Sequence, residues 1–240
     1  DEAVFHECHK LALRSLKDGI FTGLRIDHID GLYDPNQYLQ RLQEKTSGAY
    51  VTVEKILARD EELPLNWQTE GTSGYDSLNC LNGIFCSTKH KREMEKIYVG
   101  FTGARIDYEE LLYNKKQLII ERYMTGDVDN LAHLMKRISS RDREGWDITL
   151  YGLKRAIREV LAYFPVYRPY VGSESFTEAD RQYITQSVAR AKLKNPDLVI
   201  ELNYLQKFLL LQSGDHLDAE QQKDRLQFVM RFQQFTGPLM

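Results

Sequence analysis

The chain has 240 residues, of which 42% are hydrophobic, and a formal net charge of −3 at pH 7. This composition gives no basic footprint for nucleic acid or an anionic membrane, and no apolar run is long enough to predict a membrane span. Three cysteines without metal-ligand spacing predict neither a disulfide framework nor a zinc site. We therefore expect a soluble cytoplasmic protein without a metal or a cofactor.

The N-terminal part of the chain predicts a strand-helix-strand unit, preceded by an amphipathic helix. The apolar run Gly23–Ile26 is typical of a strand, Pro35–Thr46 of a helix, and the β-branched run Tyr50–Val53 of a second strand. Asp27 follows the first strand and Glu54 follows the second. Parallel strands joined by a right-handed crossover are neighbours, so these carboxylates are expected to face one pocket.

Two carboxylates across a pocket are typical of glycoside hydrolysis and transglycosylation. Neighbouring strands lie about 4.7–4.9 Å apart, which fits the roughly 5–5.5 Å separation of a retaining enzyme better than the wider inverting one. Arg25 points to the same side of its strand as Asp27, and its charge would keep that carboxylate ionised. The alternative interpretation of Arg25 and Asp27 is an ion pair at a strand end that performs no chemistry.

The amino-acid sequences of these segments resemble those of a known family. Residues 23–32, Gly-Leu-Arg-Ile-Asp-His-Ile-Asp-Gly-Leu, resemble the nucleophile segment of the α-amylase superfamily, glycoside hydrolase family thirteen. Val-Glu-Lys-Ile-Leu at 53–57 resembles its acid/base segment. Further stretches resemble the trehalose-forming transglucosylases of that superfamily, at residues 69–79, 147–160, 164–171 and 232–240.

The resemblance implies an intramolecular transglucosylase with a retaining mechanism, acting on a maltooligosaccharide or α-glucan. Such an enzyme converts the reducing-end α-1,4 bond of its substrate into an α,α-1,1 bond, the bond of trehalose. Carried over to this sequence, Asp27 would be the nucleophile, Glu54 the general acid and then base, and Arg25 the charge partner of Asp27. No metal or cofactor is implied.

Four further residues are predicted to contact the substrate. His28 and Asp30 lie in the nucleophile segment of the resemblance. Tyr75 and Asp76 follow glycine and serine residues that predict a loop near the Glu54 strand. Active-site residues of (β/α)8 barrels lie in the loops on this side of the strands, so Tyr75 and Asp76 are expected to line the pocket.

The predicted elements divide the chain near residue 86. Residues 1–86 are expected to form part of a (β/α)8 catalytic barrel with about two strands, and 87–240 a mainly helical subdomain, which makes the fold class α/β. An aromatic cluster in the helical part is open to two interpretations, stacking on sugar rings or packing at a helix-to-loop corner. Its members are Tyr163, Phe164, Tyr167, Arg168 and Tyr170.

Parts of the family pattern are missing from these residues. The superfamily has an earlier segment with an Asn-His pair and a later His-Asp segment that holds the third catalytic carboxylate, and neither is found. The chain also opens on Asp1 rather than Met. We interpret it as an internal piece of a longer enzyme, whose remaining polypeptide would complete the barrel and without which the piece would be inactive.

Two other function classes fit part of the pattern. An α-amylase-type hydrolase or glucanotransferase would share Arg25, Asp27 and Glu54, but it would not share the wording of residues 71–79 and 147–160. A non-catalytic carbohydrate-binding piece would need neither carboxylate for chemistry.

Overall fold

The computed structural model describes residues 1–172, 176–212 and 218–240. The chain separates into two compact units, Asp1–Lys89 and His90–Met240, close to the division predicted at residue 86. Each unit buries its own set of apolar side chains.

The first unit is a small parallel sheet with helices between and after its strands. Its elements in chain order are α1 (Glu2–Lys17), β1 (Gly23–Ile26), α2 (Pro35–Thr46), β2 (Tyr50–Val53), β3 (Gly71–Thr72) and α3 (Tyr75–Ile84). Within residues 1–89, all of which are described, the three strands run in the order β1-β2-β3, and both pairs are parallel. The predictions for the first four elements are confirmed, whereas β3 and α3 replace the predicted loop.

Local sequence signals set the bounds of α2 and β2. The Asp34 carboxylate accepts a hydrogen bond from the Gln37 N–H at 3.0 Å, and Pro35 occupies the first helical position, where its missing N–H costs nothing. In β2, Val51 and Val53 are fully buried and alternate with a less buried neighbour. This alternation gives the strand one interior face and one face toward the site.

The strand register places the two predicted carboxylates side by side. Ile26 pairs with Val53, so the next residues, Asp27 and Glu54, leave the sheet at the same edge. The Glu54 N–H still donates to the Ile26 carbonyl at 2.7 Å, which continues the ladder one residue past β2. The backbone hydrogen bonds therefore fix the positions of Asp27 and Glu54 relative to each other along the strand axis.

The second unit is helical in its described part. Its helices are α4 (Lys91–Thr102), α5 (Tyr108–Tyr123), α6 (Thr125–Ser139), α7 (Leu150–Ala162), α8 (Glu178–Lys194), α9 (Val199–Leu209) and α10 (Ala219–Thr236). Helix α7 is central, since it packs on α5, α6, α8 and α9. Its apolar residues Leu153, Ile157, Val160 and Leu161 are buried, and the Thr149 hydroxyl caps its first turn by accepting from the Gly152 N–H at 3.0 Å.

Helix α8 begins with a capping box formed by Thr177 and Asp180. The Thr177 side chain accepts from the Asp180 N–H, and the Asp180 carboxylate accepts from the Thr177 N–H. In residues 1–172, 176–212 and 218–240, no helix is long and apolar enough to cross a membrane. The same ranges hold no group of three His, Cys, Asp or Glu side chains that could bind a metal ion.

Candidate active site

The site lies where β1 and β2 end, and one guanidinium joins its two carboxylates. Arg25 Nη1 is 2.6 Å from Asp27 Oδ1, and Arg25 Nη2 is 3.1 Å from Glu54 Oε1. Arg25 can reach both because strand alternation puts it on the same face as Asp27, and the register puts Glu54 on the neighbouring strand. The planar fork of arginine is suited to holding two oxygens in fixed positions.

The protonation of Asp27 follows from these contacts. The hydrogen bond from Arg25 is the largest cause that holds the pKa of Asp27 below its ordinary value, and a hydrogen bond from the Glu54 side chain acts in the same direction. Desolvation opposes them only weakly, because 72% of the Asp27 side chain is exposed. Asp27 is therefore ionised at neutral pH, as an attacking carboxylate must be.

Three donors surround the carboxyl group of Glu54. The His28 N–H donates to Oε2 at 2.8 Å, while the Tyr75 hydroxyl donates to Oε1 at 3.2 Å, beside the Arg25 contact. The Glu54 side chain is 23% exposed, so it is held more closely by the protein than Asp27 is. This arrangement fixes the direction in which Glu54 can deliver or take a proton.

A left-handed residue and a glycine shape the loop after β1. His28 has φ of 50°, a conformation that turns its N–H toward Glu54. The imidazole then lies over Gly31, where a Cβ would be 2.3 Å from the ring Cδ2. A side chain at this position would displace the imidazole from where it lies. The prediction that His28 contacts substrate is untested, but its backbone clearly positions Glu54.

Asp30 lies in the interior of the unit. Its carboxylate is 7% exposed and accepts from Lys55 Nζ at 3.4 Å. The fully buried Lys55 also contacts Glu61 Oε1 at 2.7 Å. Lys55 therefore joins the loop that carries Asp27 to the segment that follows Glu54. The predicted substrate contact of Asp30 stays a prediction, and its observed contact is this ion pair.

Tyr75 and Asp76 open helix α3 and have different surroundings. Tyr75 contacts Glu54, whereas the Asp76 carboxylate accepts from the Thr72 hydroxyl at 2.6 Å. That bond, followed by backbone N–H donors of the first helical turn, lowers the pKa of Asp76. Asp76 thus stabilises the turn between β3 and α3, and its substrate contact stays a prediction.

Two members of the aromatic cluster of the helical unit are buried, and its three tyrosines are partly exposed. Phe164 and Arg168 are each 1% exposed, and the Phe164 ring packs edge-on against Phe232 with a centroid distance of 6.2 Å. Tyr163 stacks on Tyr113 at 4.7 Å. These contacts favour the packing interpretation for Phe164 and Arg168.

The sequence interpretation did not identify the structural role of Lys55, which directly follows Glu54 in the α/β unit. In the sequence, Lys55 was interpreted only as part of the acid/base segment 53–57. Its burial nevertheless continues the alternation of Val51 and Val53 along the interior face of β2. The period of two could have predicted it.

The arrangement is suited to a retaining exchange at a sugar carbon. An ionised carboxylate and a second carboxyl group lie at adjacent strand ends, share one guanidinium, and face the same side of the sheet. One group can attack while the other exchanges a proton with the leaving or entering oxygen.

No protein-family model matches the chain. Over 139 residues, 58% of this chain, its sequence is 36% identical to a Mycobacterium tuberculosis protein, strain H37Rv, that carries the provisional name maltooligosyl trehalose synthase. The matched stretch is 17% of that protein's length, so the chain spans only a small part of the curated relative.

Solved structures give the same likeness. The maltooligosyltrehalose synthase from Arthrobacter ramosus matches with a TM-score of 0.82 and 27% identity, over 100% of this chain and 28% of that one. A hypothetical maltooligosyl trehalose synthase from Sulfolobus tokodaii matches with a TM-score of 0.59 and 32% identity, over 88% of this chain and 26% of that one. The resemblance to trehalose-forming enzymes is therefore confirmed: the chain is similar in sequence and fold to a segment of maltooligosyl trehalose synthases.

Proposed function

We propose, from this likeness and from the site, that the chain is the part of a maltooligosyl trehalose synthase that holds its nucleophile and its acid/base. The observation that carries the proposal is the shared contact of Arg25 with Asp27 and Glu54 at the ends of two adjacent parallel strands. The overall reaction is an isomerisation, because one glycosidic bond of a maltooligosaccharide is exchanged for another. It places the protein in trehalose biosynthesis.

In the first step Asp27 attacks the anomeric carbon of the penultimate glucose. A bond forms between that carbon and an Asp27 oxygen, and the bond to O4 of the reducing-end glucose breaks. Glu54 gives its proton to that leaving O4. Arg25 stabilises Asp27 as an anion before the attack and gives up part of this interaction as the covalent bond forms.

In the second step the released glucose returns through its own anomeric hydroxyl. Glu54 removes the proton of that hydroxyl, the oxygen attacks the glycosyl carbon, and the bond to Asp27 breaks. Two inversions at the donor carbon preserve its α configuration, and attack by the α-anomeric hydroxyl of the glucose makes the new bond α,α-1,1. The glucose must stay in place between the steps, which requires a pocket that water does not enter.

The barrel and the third carboxylate belong to the same proposal. Three parallel strands in residues 1–89 do not close a barrel, and the matched stretches are 17–28% of the relatives' lengths. We propose that the rest of a longer polypeptide supplies the other strands and the third carboxylate, and that these 240 residues alone are inactive.

The experiment is an incubation of the longer enzyme with maltopentaose, with reducing ends and free glucose followed over time. The proposal expects reducing ends to fall with little glucose released, since the product has no free anomeric centre. Rising reducing ends would show hydrolysis and would replace the proposal by the α-amylase-type alternative. The 240-residue chain, incubated in parallel, is expected to change neither quantity.

A further inference from the structure

We propose that Tyr75 is a positioning residue that holds Glu54 in place both before and after Glu54 transfers its proton. The inference rests on the proposed acid/base function of Glu54 and goes beyond the substrate contact predicted for Tyr75. Its starting point is the hydrogen bond between the Tyr75 hydroxyl and Glu54 Oε1, 3.2 Å long.

The backbone around Tyr75 is tied to the strand that ends at Glu54. The Ser73 N–H donates to the Val53 carbonyl at 2.9 Å, one residue before Glu54. Gly74 has φ of 93°, which a residue with a side chain rarely adopts, and it turns the chain directly into α3. The backbone of Tyr75 is therefore held in a fixed position beside Glu54.

The three donors to Glu54 differ in what they can do when Glu54 is protonated. The guanidinium of Arg25 and the N–H of His28 can only donate, so both favour a carboxylate. A phenol hydroxyl can donate to a carboxylate and, after rotation about its C–O bond, can accept from a carboxylic acid. Among these three partners, Tyr75 is thus the one that fits Glu54 in both of its protonation states.

Asp27 does not replace Tyr75 in this respect. The Glu54 side chain can also hydrogen-bond Asp27, but Asp27 must turn to the sugar carbon when it attacks. At that moment the Glu54 proton has to point at the leaving oxygen and not at Tyr75, so the Tyr75 hydroxyl donates to Oε1 again and keeps the carboxyl group from rotating away. Loss of the hydroxyl should slow proton transfer and leave the attack itself less affected.

Substrates that differ in their leaving group separate this role from a substrate contact. With a maltooligosaccharide, the leaving sugar oxygen needs the Glu54 proton. With α-maltotetraosyl fluoride, the bond from the anomeric carbon to fluorine breaks and fluoride departs without a proton, while Asp27 forms the same covalent bond. For the fluoride, kcat/KM reports this first step. For maltopentaose, whose glucose stays bound between the steps, kcat/KM reports proton transfer by Glu54 in both steps.

The experiment compares three variants of the longer enzyme on maltopentaose and on α-maltotetraosyl fluoride. Glu54→Gln is the benchmark, with an expected loss of about 10²–10⁴-fold in kcat/KM on maltopentaose and a far smaller loss on the fluoride. Tyr75→Phe should show the same pattern with a loss of about 10-fold or more on maltopentaose. Tyr50→Phe, the same change at the opposite, exposed end of β2, is the matched control and should alter neither rate.

Each result decides between the assignments. If Tyr75→Phe lowers both rates equally, Tyr75 contacts the substrate. If Tyr75→Phe lowers neither rate, Tyr75 has no part in the step. Either result overturns the positioning role of Tyr75 and leaves the proposed function intact. If Glu54→Gln lowers both rates equally, the acid assignment of Glu54 is wrong and the inference falls with it. Retained turnover of the fluoride also shows that the Tyr75→Phe enzyme is folded.

Discussion

The two units each bury a lysine, and they do so in opposite ways. Lys55 in the α/β unit is fully buried and contacts two carboxylates, Asp30 and Glu61. Lys116 in the helical unit is 3% exposed and donates to the Phe164 carbonyl at 2.8 Å and to the Met240 sulfur at 3.1 Å. Burial lowers the pKa of Lys116 to about 8.

The difference reflects how the interior of each unit is stabilised. The α/β unit has to hold two loops beside an exposed site, and a buried ion network joins them where apolar packing is thin. The helical unit has a continuous apolar core around α7, which tolerates one desolvated amine. Removing a buried charge that is paired with other buried charges leaves those charges without a partner, whereas a buried amine that contacts no carboxylate makes stability depend on pH.

The largest expected effect on stability is at Lys55. Lys55→Met leaves two buried carboxylates without their cation, and we expect a loss of about 3–5 kcal/mol in the free energy of unfolding. Urea denaturation of the chain measures the total loss in the free energy of unfolding. Hydrogen exchange of the amides in β1 and β2 assigns the loss to the α/β unit, because α7 should keep its protection.

Two further variants test the cause at Lys55. Adding Asp30→Asn to Lys55→Met should recover part of the loss, since one stranded charge is removed. Lys45→Met, at an exposed lysine 3.7 Å from Glu2, should cost less than about 1 kcal/mol. A Lys55→Met chain as stable as the original would show that the network does not hold the loops.

The second effect is a pH dependence at Lys116. Since its pKa falls from the ordinary 10.5 to about 8, the unfolded chain binds a proton between these pH values that the folded chain has lost. The free energy of unfolding therefore contains a contribution that rises with pH, by about 2 kcal/mol from pH 8 to 10.

The measurement is the difference in urea stability between the original chain and Lys116→Met at pH 8, 9 and 10. Methionine has a similar volume and no charge, so the variant should lack this rise and be the more stable chain at pH 8. A difference that stays constant with pH would contradict the assignment of a desolvated amine.

The smallest expected effects are equal in the two units. Asp34 caps α2 and Thr149 caps α7, each through one side-chain hydrogen bond to a backbone N–H. Replacing either by Ala should cost about 1 kcal/mol, because a cap is a local interaction. Thermal unfolding checks this pair, and a loss at one cap several times that at the other would show that capping depends on the unit.

The sequence predicted the elements that combine a period with a boundary signal. Helix α2 has Asp34 and Pro35 at its start, and β2 has a β-branched run that stops at a charged residue. Arg25, Asp27 and Glu54 could be predicted as neighbours because alternation and a parallel register relate their positions. The roles assigned to them stay predictions that kinetics must test.

Other features could not be predicted because their signals are weak or non-local. Strand β3 has two residues, too few for any period, and α3 starts after Gly74, which resembles a loop residue and offers no side-chain cap. The substrate contact expected of Asp30 stays a prediction, but the burial of its side chain had no local signal in the sequence. Its burial depends on Lys55 and Glu61, which lie far along the chain and meet it only in the fold.

The most direct test of the central claim is to trap the covalent intermediate. The longer enzyme with Glu54→Gln is incubated with a 5-fluoro-α-maltosyl fluoride, whose fluoride leaves without a proton and whose glycosyl group is released slowly. Proteolysis and mass spectrometry then locate the added sugar. The account predicts the label on Asp27; a label on another carboxylate, or none while the original enzyme turns over maltopentaose, would contradict it.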